Sequence, residues 1–522
     1  MKKIKEKIKS NYKEILIFLL ILMIAIFSRG YKLDSLPSGI HVDEAGMAYD
    51  AFCLATNGTD RWLNKFPVYL ENFGGGQSAL YAYLAAIFVK VCGLNMLSIR
   101  MPAFLLSILA IITVYFTTKK ECSFKKAQAF TFFIAIMPWH IMASRWGLDC
   151  NLLAPMMMIS VCMLIRAKNV KGYILSGILF GLTLYTYALS YMILPVFLLV
   201  TLLYMLCSKK IKFKDLFPLG IPMFIIALPL MLMILVNNGV IGEIRGFITI
   251  QKLPEYRGAE VSLSNIKDNI KFIKTIFTND NLPYNALEEF GTVYRFSILL
   301  ILVGGLIELK NLIYNIKNKK FDFGSVMVIL CGSILFCLML TVGPNINKAN
   351  AIYIPMMYFI VTTMKLFYKN AKIIFYLVIL LFILYFTRFE LFYFNNMEKI
   401  YGTMQYFEKD YLEVFEYVNN KYKEEEIHIL TSTAEPYIYT LFKNQISPQE
   451  FNSKLHEETK NDDLYSYNNY YFKDITLNSG NEVCIVNYKE DFETYILLQN
   501  VGFTEDENTK DKDYRVFYRE VK

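Results

Sequence analysis

Leu80-Tyr81-Ala82-Tyr83-Leu84-Ala85-Ala86-Ile87-Phe88-Val89-Lys90-Val91 decides how this chain is arranged, because the sidedness of everything after it depends on whether these twelve residues cross a membrane. The run is apolar, but it carries Lys90 near its end and is followed at once by Cys92-Gly93. A helix needs about 20 residues to cross hydrocarbon. A run this short suits a helix lying in the interface. Parity gives an independent test. Lys2, Lys3, Lys5, Lys7, Lys9 and Lys13 precede the first long apolar run. Basic clusters recur at Lys119/Lys120/Lys125/Lys126, Arg166/Lys168/Lys171, Lys209/Lys210/Lys212/Lys214, Lys310/Lys317/Lys319/Lys320 and Lys365/Lys369/Lys372. Such clusters face the cytoplasm. If the run lies flat, all of them fall on that side together; if it crosses, Lys119–Lys126 lands outside and each later cluster inverts. The flat arrangement is expected, with a cytoplasmic N-terminus and residues 28–99 forming one large outer loop.

Composition agrees with a polytopic α-helical membrane protein. Of 522 residues, 55% are hydrophobic and only 19% charged, with a mean hydropathy of +0.34, which is too apolar for a soluble chain of this length. Spans are expected at about 15–33, 100–118, 127–141, 152–166, 172–188, 191–207, 216–236, 294–309, 324–342, 350–367 and 372–389, about eleven in all, with juxtamembrane helices in the outer loop. The first is expected to be retained, since Ser28-Arg29-Gly30-Tyr31 is a poor signal-cleavage site. The nine cysteines show no paired spacing, so neither a disulfide framework nor a zinc site is supported. The net charge of +8 sits at span ends, where orientation explains it better than nucleic acid does.

Two regions follow: a transmembrane domain over 1–390, with outer loops at 28–99 and 237–293, and an extracytoplasmic tail over 391–522. In the tail, Tyr411–Tyr422 has helical spacing, while Glu426–Thr431, Val483–Val486 and Tyr514–Tyr518 read as strands, giving a small α/β domain.

The chemistry-bearing residues gather on the outer face. Asp43 and Glu44 stand in His41-Val42-Asp43-Glu44-Ala45, just beyond the first span. Asp43 can cap the helix that follows; as chemistry, the pair offers a general base with a neighbouring acid to orient it. Arg100 opens a span and is either a snorkelling anchor or a phosphate partner. Arg145 and Asp149 lie in a short loop with Trp139, His140, Trp146 and Asn151; they can pair with each other, or the group can form a polar-aromatic pocket suited to a sugar. Asn345, Asn347, Lys348, Asn350 and Tyr353 stand where the chain re-enters the membrane. There the bland role is loop capping and the functional one is binding a lipid phosphate. Arg245, Arg257 and Asn279-Asp280-Asn281 belong to the long 237–293 loop, and Asn57-Gly58-Thr59 reads as a turn.

Taken in order, the first span, Asp43-Glu44, Asn57-Gly58-Thr59-Asp60, Pro67, the flat helix at 79–93, Arg100, Ser144-Arg145 with Asp149, and Asn347-Lys348 with Asn350 resemble the GT-C membrane glycosyltransferases of the protein O-mannosyltransferase and aminoarabinose transferase type. The resemblance implies transfer of a sugar from a polyprenyl-phosphate carrier to a protein, lipid or cell-envelope glycan on the outer face of the plasma membrane, with inversion. It implies Asp43 as catalytic carboxylate with Glu44 assisting. Arg100, Arg145 and Lys348 are candidates for the carrier phosphate, Asp149 for sugar or acceptor contacts, and Asn347 and Tyr353 for substrate or phosphate binding. No metal-ligand cluster is visible, so no cofactor is expected, although a divalent ion occurs in the wider class. Lys348 departs from the arginine often found in that loop, which weakens bidentate phosphate binding there. The alternatives are a transporter or flippase of lipid-linked sugars, which would need an inverted repeat or midplane acids that this chain lacks, and a non-catalytic envelope assembly protein.

Overall fold

The apolar runs fold into helices where the hydropathy places them. The computed structural model describes residues 2–256, 261–278, 282–400, 406–431, 433–455, 466–472 and 481–519. Eight helices among them are long and apolar enough to cross a membrane: Met96–Glu121, Asp149–Arg166, Ser190–Cys207, Phe213–Asn237, Ser297–Lys317, Phe323–Leu340, Ile346–Asn370 and Lys372–Asn396. The remaining three expected spans are also helices: α1 (Lys2–Gly30), Phe124–Ile136 and Val170–Leu184. The chain is thus a multi-pass membrane protein with a small tail. Close helix packing rests on small residues. A Cβ at Gly177 would lie 2.1 Å from the Leu219 carbonyl oxygen, and one at Gly304 would lie 1.9 Å from that of Phe359.

The basic clusters meet at one end of the bundle. Lys119 pairs with Glu14 and Lys210 with Glu121. The Tyr204 hydroxyl donates to the Lys320 carbonyl, and Lys125 lies over the Tyr368 ring. The long helix α4 (Met96–Glu121) carries Lys119 and Lys120 at this end and Arg100 at the other, roughly 30 Å away at 1.5 Å per residue. This is the arrangement that requires the Leu80–Val91 run not to cross.

At the Arg100 end, the 28–99 loop folds as α2 (Val42–Asn57), a hairpin of β1 (Tyr69–Asn72) and β2 (Gly75–Ser78), and α3 (Leu80–Cys92). At about 20 Å, α3 is as long as the Phe124–Ile136 helix, so the placement of the basic clusters, and not its length, argues against its crossing. It buries Tyr81, Ala82, Ala85 and Val89 and leaves Ile87 and Val91 open on the other side. Arg100 clasps the loop to the bundle. Its five N–H groups go to the Leu33, Pro37 and Gly39 carbonyls at 2.9–3.1 Å and, in a fork, to both Glu44 carboxylate oxygens at 3.0 and 3.2 Å.

The final bundle helix runs Lys372–Ile400, through the domain boundary expected at 390. Beyond it stands a six-stranded mixed sheet in the order Ser466–Tyr467, Tyr470–Phe472, Glu426–Leu430, Glu482–Asn487, Tyr514–Arg519, Thr504–Glu505. Helix Lys409–Lys421 packs on it. The main tail core, with Tyr411, Phe415, Ile427 and Ile485, is continuous with Met47, Tyr49 and Ala85 of α2 and α3. The tail and the first loop therefore form one packed unit.

Two outcomes follow from this architecture. In a background without native cysteines, Lys65→Cys and Asn95→Cys are both labelled by an impermeant maleimide from the same side of the membrane; labelling from opposite sides would mean that α3 crosses. Arg100→Ala leaves Glu44 buried without its cation and lowers stability by about 3–5 kcal/mol, read as a drop in thermal unfolding temperature in detergent.

Candidate active site at the Asp43–Glu44 pair

Helix α2 begins at His41, which is extended (φ −68°, ψ 151°) and accepts the Asp43 N–H on Nδ1 at 3.2 Å. The capping role expected of Asp43 therefore belongs to His41, and the Asp43 side chain is released from it. Burial holds the His41 pKa below its ordinary value, against the pull of Asp43 and Glu44, so the ring is neutral at pH 7 with its proton on Nε2. The ring sits among Trp146, Tyr284 and Phe407, at centroid distances of 5.3, 5.3 and 5.9 Å.

Adjacent residues on a helix point about 100° apart, and that angle separates the two acids. Glu44 points inward, fully buried, onto Arg100, and accepts the Gly147 N–H at 2.6 Å as well. Asp43 points outward, with its side chain 38% exposed, where it accepts from Asn72 Nδ2 at 3.4 Å. Asp43 is the member of the pair that a substrate can reach.

The arginines are committed to the protein itself. Arg100 has no donor left for a phosphate. Arg145 gathers the carbonyls of Ser28, Tyr31, Lys32 and Leu36 at 2.7–3.2 Å and stacks on Tyr393 and Phe394. It does not pair with Asp149, whose carboxylate accepts the backbone N–H groups of Ser78 and Cys150. The sugar pocket expected around Trp139, Trp146 and Asn151 is filled: about 10 Å³ remains between them, Tyr284 and Asn347, room for a water at most. Trp139 Nε1 donates to Asn350 Oδ1, and Asn350 Nδ2 donates to the Cys150 carbonyl. Tyr353 is buried, donates to the Ile276 carbonyl, and packs on Trp139. His140 Nδ1 accepts from Arg29 Nη2 at 2.7 Å, a buried structural contact.

Lys348 and Asp149 face one shared space. Both line a cavity of about 420 Å³, with Tyr69, Tyr187, Tyr191, Asn238, Glu255 and Tyr256 around it. Lys348 Nζ lies 2.7 Å from the Val342 carbonyl. The β1–β2 hairpin joins this cavity to Asp43 within ten residues: Asn72 touches Asp43, Tyr69 and Gly76 line the cavity, and Ser78 N–H holds Asp149. The cavity tyrosines come from three separate segments, so only their aromatic frequency was visible along the chain. Arg245 pairs with Glu243 on the surface, while Arg257 and Asn279–Asn281 lie outside the described residues. Gly58, in a left-handed conformation (φ 70°), ends α2 and makes Asn57-Gly58-Thr59 a turn, as read.

Among the described residues, one set of side chains has the spacing of metal ligands: Glu426, His428 and Glu482, on neighbouring strands of the tail sheet. Glu482 is also paired with Arg519 at 2.7 Å. The set stands in the tail and contains neither Asp43 nor Asp149, and its members are 54 residues or more apart across the two strands, a proximity that the sequence does not display.

Residues 77–236 match the family model of the dolichyl-phosphate-mannose-protein mannosyltransferases. No curated protein matches the sequence. Among solved structures, ArnT from Cupriavidus metallidurans bound to undecaprenyl phosphate aligns over 97% of this chain and 98% of its own, at 12% identity and a TM-score of 0.52. Its apo form aligns over 98% of each chain, at 12% identity and 0.51. The Archaeoglobus fulgidus oligosaccharyltransferase, in complex with zinc and sulfate, aligns more loosely, over 82% of this chain and 61% of its own, at 12% identity and 0.46. Near full-length overlap with ArnT, together with the bundle, the two loop helices and the tail sheet, gives this chain the fold of the GT-C membrane glycosyltransferases.

Proposed function

We propose that this protein is a glycosyltransferase that moves a sugar from a polyprenyl-phosphate carrier to an acceptor on the outer face of the plasma membrane. The observation that carries the reading is the division of labour within the acidic pair: Glu44 is sequestered by Arg100, while Asp43 stays partly open, one hairpin away from a cavity that holds a lysine and an acid. Binding of undecaprenyl phosphate by ArnT, which shares the fold, supports the class of donor. The gathering of basic clusters at the opposite end of the bundle supports the orientation, with a cytoplasmic N-terminus and an extracytoplasmic tail.

In this reading the carrier phosphate enters the cavity beside Lys348. The sugar lies between Asp149 and the tyrosines, whose rings take apolar faces while carboxylate and hydroxyls take polar ones. Asp43 accepts the proton of the acceptor hydroxyl, whose oxygen attacks the anomeric carbon in line. The bond from that carbon to the phosphate oxygen breaks, the phosphate departs with the electron pair, Lys348 stabilises its charge, and the anomeric configuration inverts. Glu44, Arg100 and Arg145 act as scaffold. The acceptor is a protein, a lipid or a cell-envelope glycan.

Asp43→Asn is expected to lower the transfer rate by about 10²–10⁴-fold, the usual weight of a general base, without loss of folded protein. In the native host, one surface sugar should disappear while its polyprenyl-phosphate donor accumulates. Unchanged surface glycans and lipids, with the variant at normal abundance, would overturn the reading and favour transport or assembly. Lys348→Gln should lower turnover by about 10²-fold through loss of a leaving-group contact, measured with the purified full-length chain in vesicles.

A further inference from the structure

Asp50 lies two turns after Asp43 on α2 and is fully buried with Arg61. Arg61 grips it in a fork, Nε to Oδ1 at 3.0 Å and Nη2 to Oδ2 at 2.8 Å, and the Arg61 backbone N–H adds a third bond to Oδ1 at 3.0 Å. This fixes the plane of the guanidinium and aims its spare donors. One goes from Nη2 to Asn72 Oδ1 at 3.1 Å, and Nη1 donates to the Tyr437 hydroxyl of the tail at 3.4 Å. The contact with Asn72 settles which way that amide faces. Its oxygen must meet the cation, so its NH₂ is turned to Asp43 Oδ1.

The neighbouring backbone is cut to fit. A Cβ on Gly46 would lie 2.5 Å from Asn72 Oδ1 and 2.9 Å from Arg61 Nη2, so a larger residue there would displace the amide and the guanidinium from this contact. The tail secures the arrangement from its own side. Tyr437 stands in helix Pro436–Asn444, which packs on α2, and Asn452 Nδ2 donates to the Arg61 carbonyl at 2.8 Å. A buried ion pair adds little stability over apolar residues of the same size, so its use next to the exposed acid points to placement.

We propose that the tail positions the catalytic carboxylate through the line Tyr437–Arg61–Asn72–Asp43, which makes Arg61, Asn72 and Tyr437 positioning residues of the active centre. The inference rests on Asp43 being the base. The Asn72 amide holds one carboxylate oxygen, which leaves the other directed at the acceptor hydroxyl. Arg61 fixes the amide, and Tyr437 makes that fixation depend on the tail being docked.

The test uses the purified full-length chain in vesicles, with kcat and KM for the carrier measured separately. Asn72→Leu should lower kcat by about 10–100-fold, the cost of a misplaced reacting group, with KM unchanged. Tyr437→Phe keeps its ring in the core and removes one hydroxyl; it should lower kcat about fivefold, the equivalent of one hydrogen bond. In the Asn72→Leu background, Tyr437→Phe should cost nothing more, because the line is already cut. Full activity of Tyr437→Phe, or an equal loss in both backgrounds, overturns the proposal, as does a change confined to KM. The outcomes also separate this inference from the one beneath it. If Asp43→Asn is inactive while Tyr437→Phe turns over normally, only the relay fails. If Asp43→Asn turns over normally, the base itself is wrong.

Discussion

The structure of the site depends on one guanidinium. Arg100 takes three carbonyls from an irregular stretch of chain, Leu33, Pro37 and Gly39, and holds Glu44 in a fork. Backbone carbonyls outside helices and strands must find partners when buried, and near a membrane face water cannot be relied on to supply them. A single five-donor side chain at the start of α4 meets that demand and anchors the first turn of α2 with the same group. The orientation of Asp43 is then set by helix geometry. Once Glu44 is pinned inward, its neighbour must face away by about 100°. Two adjacent acids thereby acquire different roles with no difference in their own chemistry.

The same solution recurs. Arg145 gathers four carbonyls at the end of α1, and Arg29 bridges the Ala135 and Ile134 carbonyls and His140. With Arg61, these are among the largest fully buried side chains of the protein. An arginine at the end of a membrane helix resembles a phosphate ligand in sequence, because the same planar fork serves carboxylates, phosphates and clustered carbonyls. Only the neighbours distinguish these uses. This is why Arg100 and Arg145 looked like carrier ligands along the chain and stand as scaffold in the fold, whereas Lys348, the less apt residue on paper, opens into the large cavity.

The architecture was legible for reasons of length and charge. The shortness of the Leu80–Val91 run and the parity of the basic clusters are one-dimensional facts with a direct three-dimensional meaning, and the strands at 426–430, 482–487 and 514–519 carry the apolar pattern of a buried sheet. Asp43 was visible because two acids beside a span are conspicuous. What stayed hidden depended on direction. Nothing local marks His41 as the cap in place of Asp43, or Trp139 and Asn350 as partners across 211 residues. The pairing of Asp50 with Arg61 spans only 11 residues, yet it required knowing that α2 ends at Gly58 and that the chain turns back on itself there. The expected boundary at 390 falls inside a helix for a similar reason: hydropathy ends before helicity does.

A second core, shared by the first loop and the tail, changes what the tail is for. Had it been tethered by the last helix alone, it could move freely and would serve recognition only. Instead Tyr49 donates to the Ile446 carbonyl, Ile40 N–H binds the Phe407 carbonyl at 2.6 Å, and a Cβ at Gly39 would lie 1.9 Å from that oxygen. Phe407 then packs on His41, the cap of the helix that presents Asp43. The tail therefore packs on the immediate neighbours of the candidate base from two sides, on His41 through Phe407 and on Arg61 through Tyr437. A domain docked this way cannot shift without disturbing the carboxylate. In the proposed reaction, an acceptor that alters the seating of the tail would alter the chemistry with it.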